Sequence, residues 1–278
     1  MSFIRAIEVE FRFDDGSAFT IDQLRISFSV KKTSEKKSNE AKISIYNLSR
    51  VSYDKISKVD NTVILRAGYY DETEPITVLM GKVLDMERES TYPDIITTMT
   101  LLDGQKEARE SMISVSYKRG TSLKTIVRNL VEYIGFPIAM GTDYPNREYP
   151  SGYSFVGLAV DALAEVLSRI GYTYTIQNQE IYIFQYGQHI PQQAHIISPE
   201  TGMINSPRPI NDTEDGGNTV NINKKYAVES LLKPSIIPNS YVELRSKVVE
   251  GFFIAQTVEH TGDNWEGDFI TEMEVKSE

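Results

Sequence analysis

The first hundred residues are written in period two. Ile7, Val9, Phe11 and Phe13 alternate with charged residues before Asp14-Asp15-Gly16 supplies a turn. Leu24, Ile26, Phe28 and Val30 repeat the alternation, and shorter runs follow at Ile43–Ile45, Val63–Leu65, Val83–Leu84 and Ile95–Leu101. Such runs predict a half-buried antiparallel sheet curled into a barrel or sandwich. Between the second and third runs, Lys31 to Lys42 holds five Lys and two Glu with hardly an apolar residue. That predicts a long exposed loop or an extended hairpin arm. As an arm it would reach an adjacent ring or subunit, with Lys31, Lys32, Lys36 and Lys37 as candidate interface residues; as a simple loop its charges only keep it solvated.

The period then changes. Leu123, Ile126, Val127, Leu130, Val131 and Ile134 fall on one helical face, with Thr121 or Ser122 as N-cap and Gly135 as the stop. A second helical stripe runs from Phe155 through Leu158, Ala159, Ala162, Leu163, Val166 and Leu167 to Ile170, ended by Gly171, with Ser154 as its expected N-cap. Tyr172–Ile176 and Ile181–Phe184 then flank Gln177–Glu180 as a hairpin, and Gly141–Gly152 reads as loop. After a loop rich in Pro, Asn, Asp and Gly (Ser198–Asn218), strands return at Val220–Ile222, Tyr241–Leu244, Phe252–Val258 and Phe269–Val275. The expected class is mainly β, α+β overall. Two related tube-like β domains, 1–107 and 193–278, are separated by an α+β insert at 108–192 with two helices and a hairpin.

The two ends resemble each other. Val63-Ile-Leu65-Arg66 matches Val242-Glu-Leu244-Arg245, each followed by a glycine (Gly81; Gly251), a strand, a polar turn and a final strand. Those final strands, Ile95–Leu101 and Phe269–Val275, both carry Ile-Thr-x-Met. One chain with two copies of a small β domain would, in a threefold ring, present six similar domains to a hexameric neighbour.

In order along the chain, Ile43-Ser-Ile-Tyr-Asn-Leu48, Val63-Ile-Leu-Arg-Ala-Gly68-Tyr, Met80-Gly81-Lys-Val, Gly157-Leu-Ala-Val-Asp161-Ala-Leu163, Gln177-Asn-Gln-Glu-Ile-Tyr-Ile183 and Ser230-Leu-Leu-Lys-Pro234 leading to Val242-Glu-Leu resemble the central hub proteins of phage tail baseplates, with their relatives in other contractile injection machines. The resemblance covers most of the chain. It implies a homotrimer of the virion baseplate, assembled in the host cytoplasm, that continues the tail tube down to a spike. Its implied partners are the tail tube protein or a tube initiator, the central spike protein and the baseplate wedge proteins. DNA would be present only in transit, and no membrane binding and no cofactor are expected. Larger fused hubs continue beyond the second tube-like domain, whereas this chain stops at Glu278, so a spike or wall-degrading domain is expected from another chain.

Chemistry changes this picture little. The chain has no cysteine, which removes disulfides, thiolate metal sites and a cysteine nucleophile. His189, His195 and His260 form no metal-binding spacing; His189 and His195 read as loop residues. No phosphate-binding glycine loop occurs, and Gly152–Gly157 misses the nucleophile-elbow spacing. The acidic groups Asp14/Asp15, Asp71/Glu72/Glu74 and Asp212/Glu214/Asp215 sit in turn-like sequence, where nothing apolar raises a carboxyl pKa for glycan cleavage. Trp265, the only Trp, is expected to pack over its hairpin, with a sugar or a neighbouring subunit as the other candidates. The expectation is therefore no enzyme. The alternative from another class is a tail-associated glycan-binding or cell-wall-degrading protein.

Charge adds one expectation. The chain carries 29 Lys+Arg against 39 Asp+Glu, a net charge of −10, which disfavours phosphate binding across its surface. From Glu259 to the end there are seven acids and one lysine. If those last strands face the axis of a ring, Glu272 and Glu274 line a lumen that repels DNA and lets it slide.

Overall fold

The computed structural model describes residues 4–34, 39–57, 61–70, 74–103, 111–210 and 225–277. The chain divides into two compact units, one of residues 1–103 with 193–278 and the other of residues 104–192.

The first unit is built on one sheet. Its N-terminal strands are β1 (Arg5–Arg12), β2 (Ala18–Ile21), β3 (Ile26–Thr33), β4 (Glu40–Tyr46), β5 (Thr62–Tyr69), β6 (Ile76–Thr91) and β7 (Asp94–Asp103), with a short helix α1 (Arg50–Ile56) after β4. The period-two runs become these strands because alternate residues can enter the core: Val9 and Phe11, or Ile26, Phe28 and Val30, are buried while their neighbours are not. Helix α1 has no apolar stripe of its own length. It starts at Ser49, whose hydroxyl accepts from the Ser52 N–H, and buries Ile56.

The C-terminal strands of the same unit are β14 (His195–Ile197), β15 (Arg208–Ile210), β16 (Lys225–Leu231), β17 (Tyr241–Arg245), β18 (Glu250–Asp263) and β19 (Phe269–Ser277). Among the described residues the sheet has 13 strands in the order β15-β16-β19-β18-β3-β4-β7-β6-β5-β1-β2, with β17 on β18 and β14 parallel to β17. The expected strand at Val220–Ile222 lies outside the described residues. Two apolar clusters form, one around Phe11, Ile43, Leu65 and Met99 that also takes in Leu232 and Phe269, the other around Val242, Phe253, Val258 and Val275. The two ends are joined edge to edge where β3 pairs with β18.

Both halves repeat one register. Met99 of β7 faces Met86 on one side and Ile43 on the other. Met273 of β19 faces Val258 and Val228. A β-bulge breaks β6 between Val83 and Asp85, and another breaks β18 between Ala255 and Thr257. In each case the extra residue (Leu84; Gln256) lies two positions before the partner of the methionine. Val63 faces Gly81, and Val242 faces Phe253. Gly81 therefore corresponds to Phe253, not to Gly251. The glycine at 81 has its own cause: an added Cβ would stand 2.5 Å from the Leu102 carbonyl oxygen. The outermost pairs differ, because β1–β5 is antiparallel and β14–β17 parallel.

The second unit has strands β8 (Met112–Tyr117), β9 (Thr121–Ser122), β10 (Glu148–Tyr149), β11 (Tyr153–Leu158), β12 (Tyr172–Gln177) and β13 (Glu180–Gln185), with helices α2 (Leu123–Ile134) and α3 (Ala159–Ser168). Helix α2 has Ser122 as N-cap, accepting from the Thr125 N–H, and ends on left-handed Gly135. The second helix starts later than its apolar stripe suggests. Tyr153–Leu158 pairs with β8 along its whole length, so Ser154 is a strand residue and Leu158 occupies the N-cap position without a side-chain bond. Phe155 satisfies both periods, and pairing with β8 decides. The two helices bury Leu123, Ile126, Leu130, Ala162, Leu163 and Val166 against one another's core. The hairpin β12–β13 turns on Asn178 and Gln179, both at positive φ.

Candidate assembly interface

Any functional surface of the first unit must lie on the sheet face opposite its core or along open strand edges. That face can be read across the strands as rows. Glu229, Glu272, Glu259, Lys31 and Glu40 stand side by side on β16, β19, β18, β3 and β4. One pleat along, Thr261, Ser29, Lys42, Thr100 and Asp85 form a second row. Asp263, Ser27, Ser44, Thr98 and Glu87 form a third. Short hydroxyls fill the middle and carboxylates flank them. The Ser29 hydroxyl donates to Glu259 at 3.2 Å, and Ser44 and Thr98 share a hydrogen bond at 3.1 Å. Here lies a shallow open depression of about 670 Å³, lined by Arg25, Ser27, Ser29, Lys42, Ser44 and Asp263 among others. No large apolar patch spans these rows, although Ile270 and Leu231 extend the second row and Leu102 the first.

Glu272 and Glu274 are both exposed on this face, because Thr271, Met273 and Val275 take the core side of β19. The lysine segment is not a loop throughout. β3 continues to Thr33 and β4 begins at Glu40, so its described ends belong to two paired strands, with Lys31 facing Glu40. Lys31 is exposed, but Lys32 is fully buried and cannot be a free interface residue. Alternation along β3 dictates this: Lys32 follows Ile26, Phe28 and Val30 onto the core face. Lys36 and Lys37 lie outside the described residues.

Lys32 belongs to a buried polar group that the sequence does not announce. Burial pulls its pKa down to about 8, opposed by the charge of Asp103. Asp103 in turn accepts from Asn39 Nδ2 at 3.0 Å, while Asn39 Oδ1 accepts from the Thr33 N–H at 3.0 Å. On the neighbouring strand His260, also fully buried, is bonded to the Thr271 hydroxyl at 2.9 Å and to the Ile236 carbonyl at 3.1 Å. Burial, then the Lys32 charge, pushes its pKa down to about 3. His260 is thus a neutral core residue. His195 is not in a loop as expected but opens β14, and His189 sits beside Ile190, bonded to that carbonyl.

The turn between β18 and β19 ties the two ends together. Asp263 accepts two hydrogen bonds from Arg25, at 2.9 and 3.2 Å, and the same guanidinium lies 4.6 Å from the Tyr46 ring centre. Asn264 mimics a strand partner: its Oδ1 accepts from the Ile26 N–H and its Nδ2 donates to the Leu24 carbonyl. Arg5 donates to the carbonyls of Asp263 and Gly267. Trp265 does not pack over the hairpin; it is 77 % exposed, with Arg25 at 5.9 Å from its ring. Reading Gly262–Gly267 for its tryptophan alone overlooks Asp263 and Asn264, whose short polar side chains in a turn are the sequence signal for such a clamp.

Asp15 sits in a turn where it accepts from the Ser17 N–H and hydroxyl, and Glu74 is exposed. Asp71, Glu72, Asp212, Glu214 and Asp215 lie outside the described residues. Among the described residues no group of three or more His, Asp or Glu could hold a metal, and no helix is long and apolar enough to cross a membrane.

A search of curated proteins returns no match. Among solved structures, the chain is similar to the 43 kDa tail protein of prophage MuSo2 from Shewanella oneidensis, at 11 % identity and TM-score 0.64, covering 98 % of this chain and 96 % of that one. It is similar to a tail protein from Neisseria meningitidis MC58 at 8 % identity and TM-score 0.67, covering 99 % and 97 %. The c3393 protein of E. coli, described as a type VI secretion component structurally similar to the T4 tail proteins gp27 and gp5, matches at 10 % identity and TM-score 0.57, covering 90 % and 73 %. These likenesses establish a tail-protein fold. The family model described as "Baseplate hub gp41" matches residues 6–248. The chain belongs to the baseplate hub gp41 family.

Proposed function

We propose that this chain is the trimeric hub of a phage tail baseplate, continuing the tail tube above and adapting it to a central spike below. In this reading 1–107 and 193–278 are two related tube domains with 108–192 inserted between them. Three chains then offer six similar β faces, which suits a threefold-to-sixfold junction. The observation that carries the reading is the largely polar face from β16 to β6, broken only at its margins by residues such as Leu102, Leu231 and Ile270 and backed by a sheet that repeats one register. Turned toward the axis, that face gives a hydrated lumen with Glu272 and Glu274 among its acids, where DNA passes without adhering. Its role is geometric and non-enzymatic. Lys31 remains on this face as a candidate contact, while tube, spike and wedge proteins are the partners.

The test is an image of the assembled particle with this chain located relative to the tube axis. A ring of three copies on the axis, polar face inward, is expected. A peripheral position, or one copy per particle, overturns the reading.

A further inference from the structure

The repeated register has a consequence for the edges of the sheet. Beyond its bulge, β18 pairs with β19 on one side and with β3 on the other, Thr257 to Asp263 facing Thr33 to Ser27. Beyond its own bulge, β6 pairs with β7 on one side, and among the described residues no strand lies on the other, from Asp85 to Thr91. The counterpart of β3 in the second half is β15, because β3 pairs with β4 as β15 pairs with β16. Among the described residues the outer edge of β15 ends the sheet. Among the described residues one chain therefore has two open edges, along β6 and along β15, that match the two sides of its own internal joint.

We propose that β15 of one copy docks antiparallel along β6 of the next, repeating between chains the β3–β18 joint within the chain. This rests on the trimeric reading and names the strands that would close the ring. Ser29 faces Lys42 as Arg208 faces Ala227, and Thr261 faces Ile270 of β19 as Glu89 faces Ile96 of β7. Carrying the Ser29–Thr261 pair over by these equivalences sets Arg208 of one copy directly opposite Glu89 of the next. Both side chains are exposed, and their charges are complementary.

The backbone fits the same alignment. Pro209 cannot donate, so Arg208 and Ile210 supply the N–H bonds to β16, and Pro207 and Pro209 turn their carbonyls to the open side. Those carbonyls would accept from Ser90 and Arg88, with no bonds in the reverse direction. Such a half-ladder blunts the edge against promiscuous pairing and leaves specificity to side chains. At the end of the joint, the β6–β7 turn puts Tyr92, 97 % exposed, near Ile204, 44 % exposed, as the β18–β19 turn puts Trp265 by Arg25. Head-to-tail contacts of this type form rings when the rotation closes.

The chain's lack of cysteine makes the register directly testable. Facing residues in a non-hydrogen-bonded antiparallel pair have Cα atoms about 4.5 Å apart, within reach of a disulfide. The double variant Glu89→Cys, Arg208→Cys, oxidised after assembly, is expected to give a covalent three-chain ring, and either single variant only traces of dimer. Independently, Glu89→Arg or Arg208→Glu is expected to raise the concentration for half-assembly about tenfold or more, with the combined swap restoring it. Native mass measurement of the unmodified chain separates the failures. A persistent monomer overturns both the trimeric reading and the joint; a trimer with no cross-link and no response to either reversal overturns the joint alone.

Discussion

Lys32 and His260 lie one diagonal step apart on the core face of the β3–β18 pair, both completely buried, with Val258 facing the lysine and Val30 facing the histidine. An ammonium and an imidazole so placed cannot both be charged. Burial and the lysine charge keep His260 neutral, with its pKa at about 3. In the unfolded chain the imidazole takes up its proton near the reference value of about 6.5. Stability from this group is therefore full above that value and is lost as pH falls toward 3. At pH 4.5 the loss is expected to reach about 2–3 kcal/mol. Urea titrations at pH 7.5 and 4.5 on the native chain and on His260→Gln should show a smaller acid loss in the variant; equal losses would exclude His260 as the source.

Lys32 titrates in the same sense, in a higher pH window. Its folded pKa of about 8 lies below its free value, so the unfolded chain binds more protons between the two and stability rises with pH across that window. Asp103→Asn removes the facing carboxylate and is expected to cost about 3–5 kcal/mol at pH 7. Part of that loss should return at pH 10, where the lysine is neutral in the fold. A deficit constant between pH 7 and pH 10 would separate Asp103 from the lysine charge.

Gly81 is fixed by backbone. Its missing Cβ would meet the Leu102 carbonyl oxygen at 2.5 Å and the Leu102 carbonyl carbon at 2.9 Å, and neither can rotate away. Gly81→Ala is expected to destabilise the first unit by about 2–4 kcal/mol. Gly16→Ala offers a contrast, since its Cβ meets nothing within 4 Å but its φ is +81°; it should cost about 1 kcal/mol. Thermal unfolding of the two variants should rank them in that order.

Arg25 joins Tyr46 of β4 to Asp263 and Glu266 of the β18–β19 turn. Arg25→Ala should cost about 1–2 kcal/mol and free the turn that carries the single tryptophan. Lower fluorescence anisotropy of Trp265 is the expected readout, and an unchanged value would mean that Asn264 holds the turn alone.

Glu272 and Glu274 offer a functional measurement. With both replaced by Lys, a lumen that presents this face would attract phosphate, so particles should assemble normally and release DNA more slowly, with the delay shrinking in high salt. Unchanged release would remove these two residues from the channel.

Much of this was visible in residue order, for identifiable reasons. Strands with one wet face announce themselves by alternation, and α2 by a stripe closed with Ser122 and Gly135. Phe155 misled because an apolar residue fits both periods until a partner strand is known. Lys32 misled because charge outweighs position when a lysine-rich segment is read by composition, although the parity of β3 assigns it to the core. The row of carboxylates and hydroxyls could not be seen at all, since its members come from strands distant in the chain and meet only through register. The matched bulges are invisible for the same reason; Leu84 and Gln256 share no chemistry, only a place in the pairing.

The clamp around Asn264 also sets an order of events during synthesis. Arg25 and Ile26 meet their partners in a segment 238 residues further along. Until that segment has emerged, β3 must wait with one ladder of N–H and C=O groups exposed on a hydrophobic hairpin. Pairing of such distant strands is slow, and a waiting edge is open to the same edge on another nascent chain. A chain cut before Thr257 should therefore aggregate during expression, although its N-terminal apolar cluster is nearly complete.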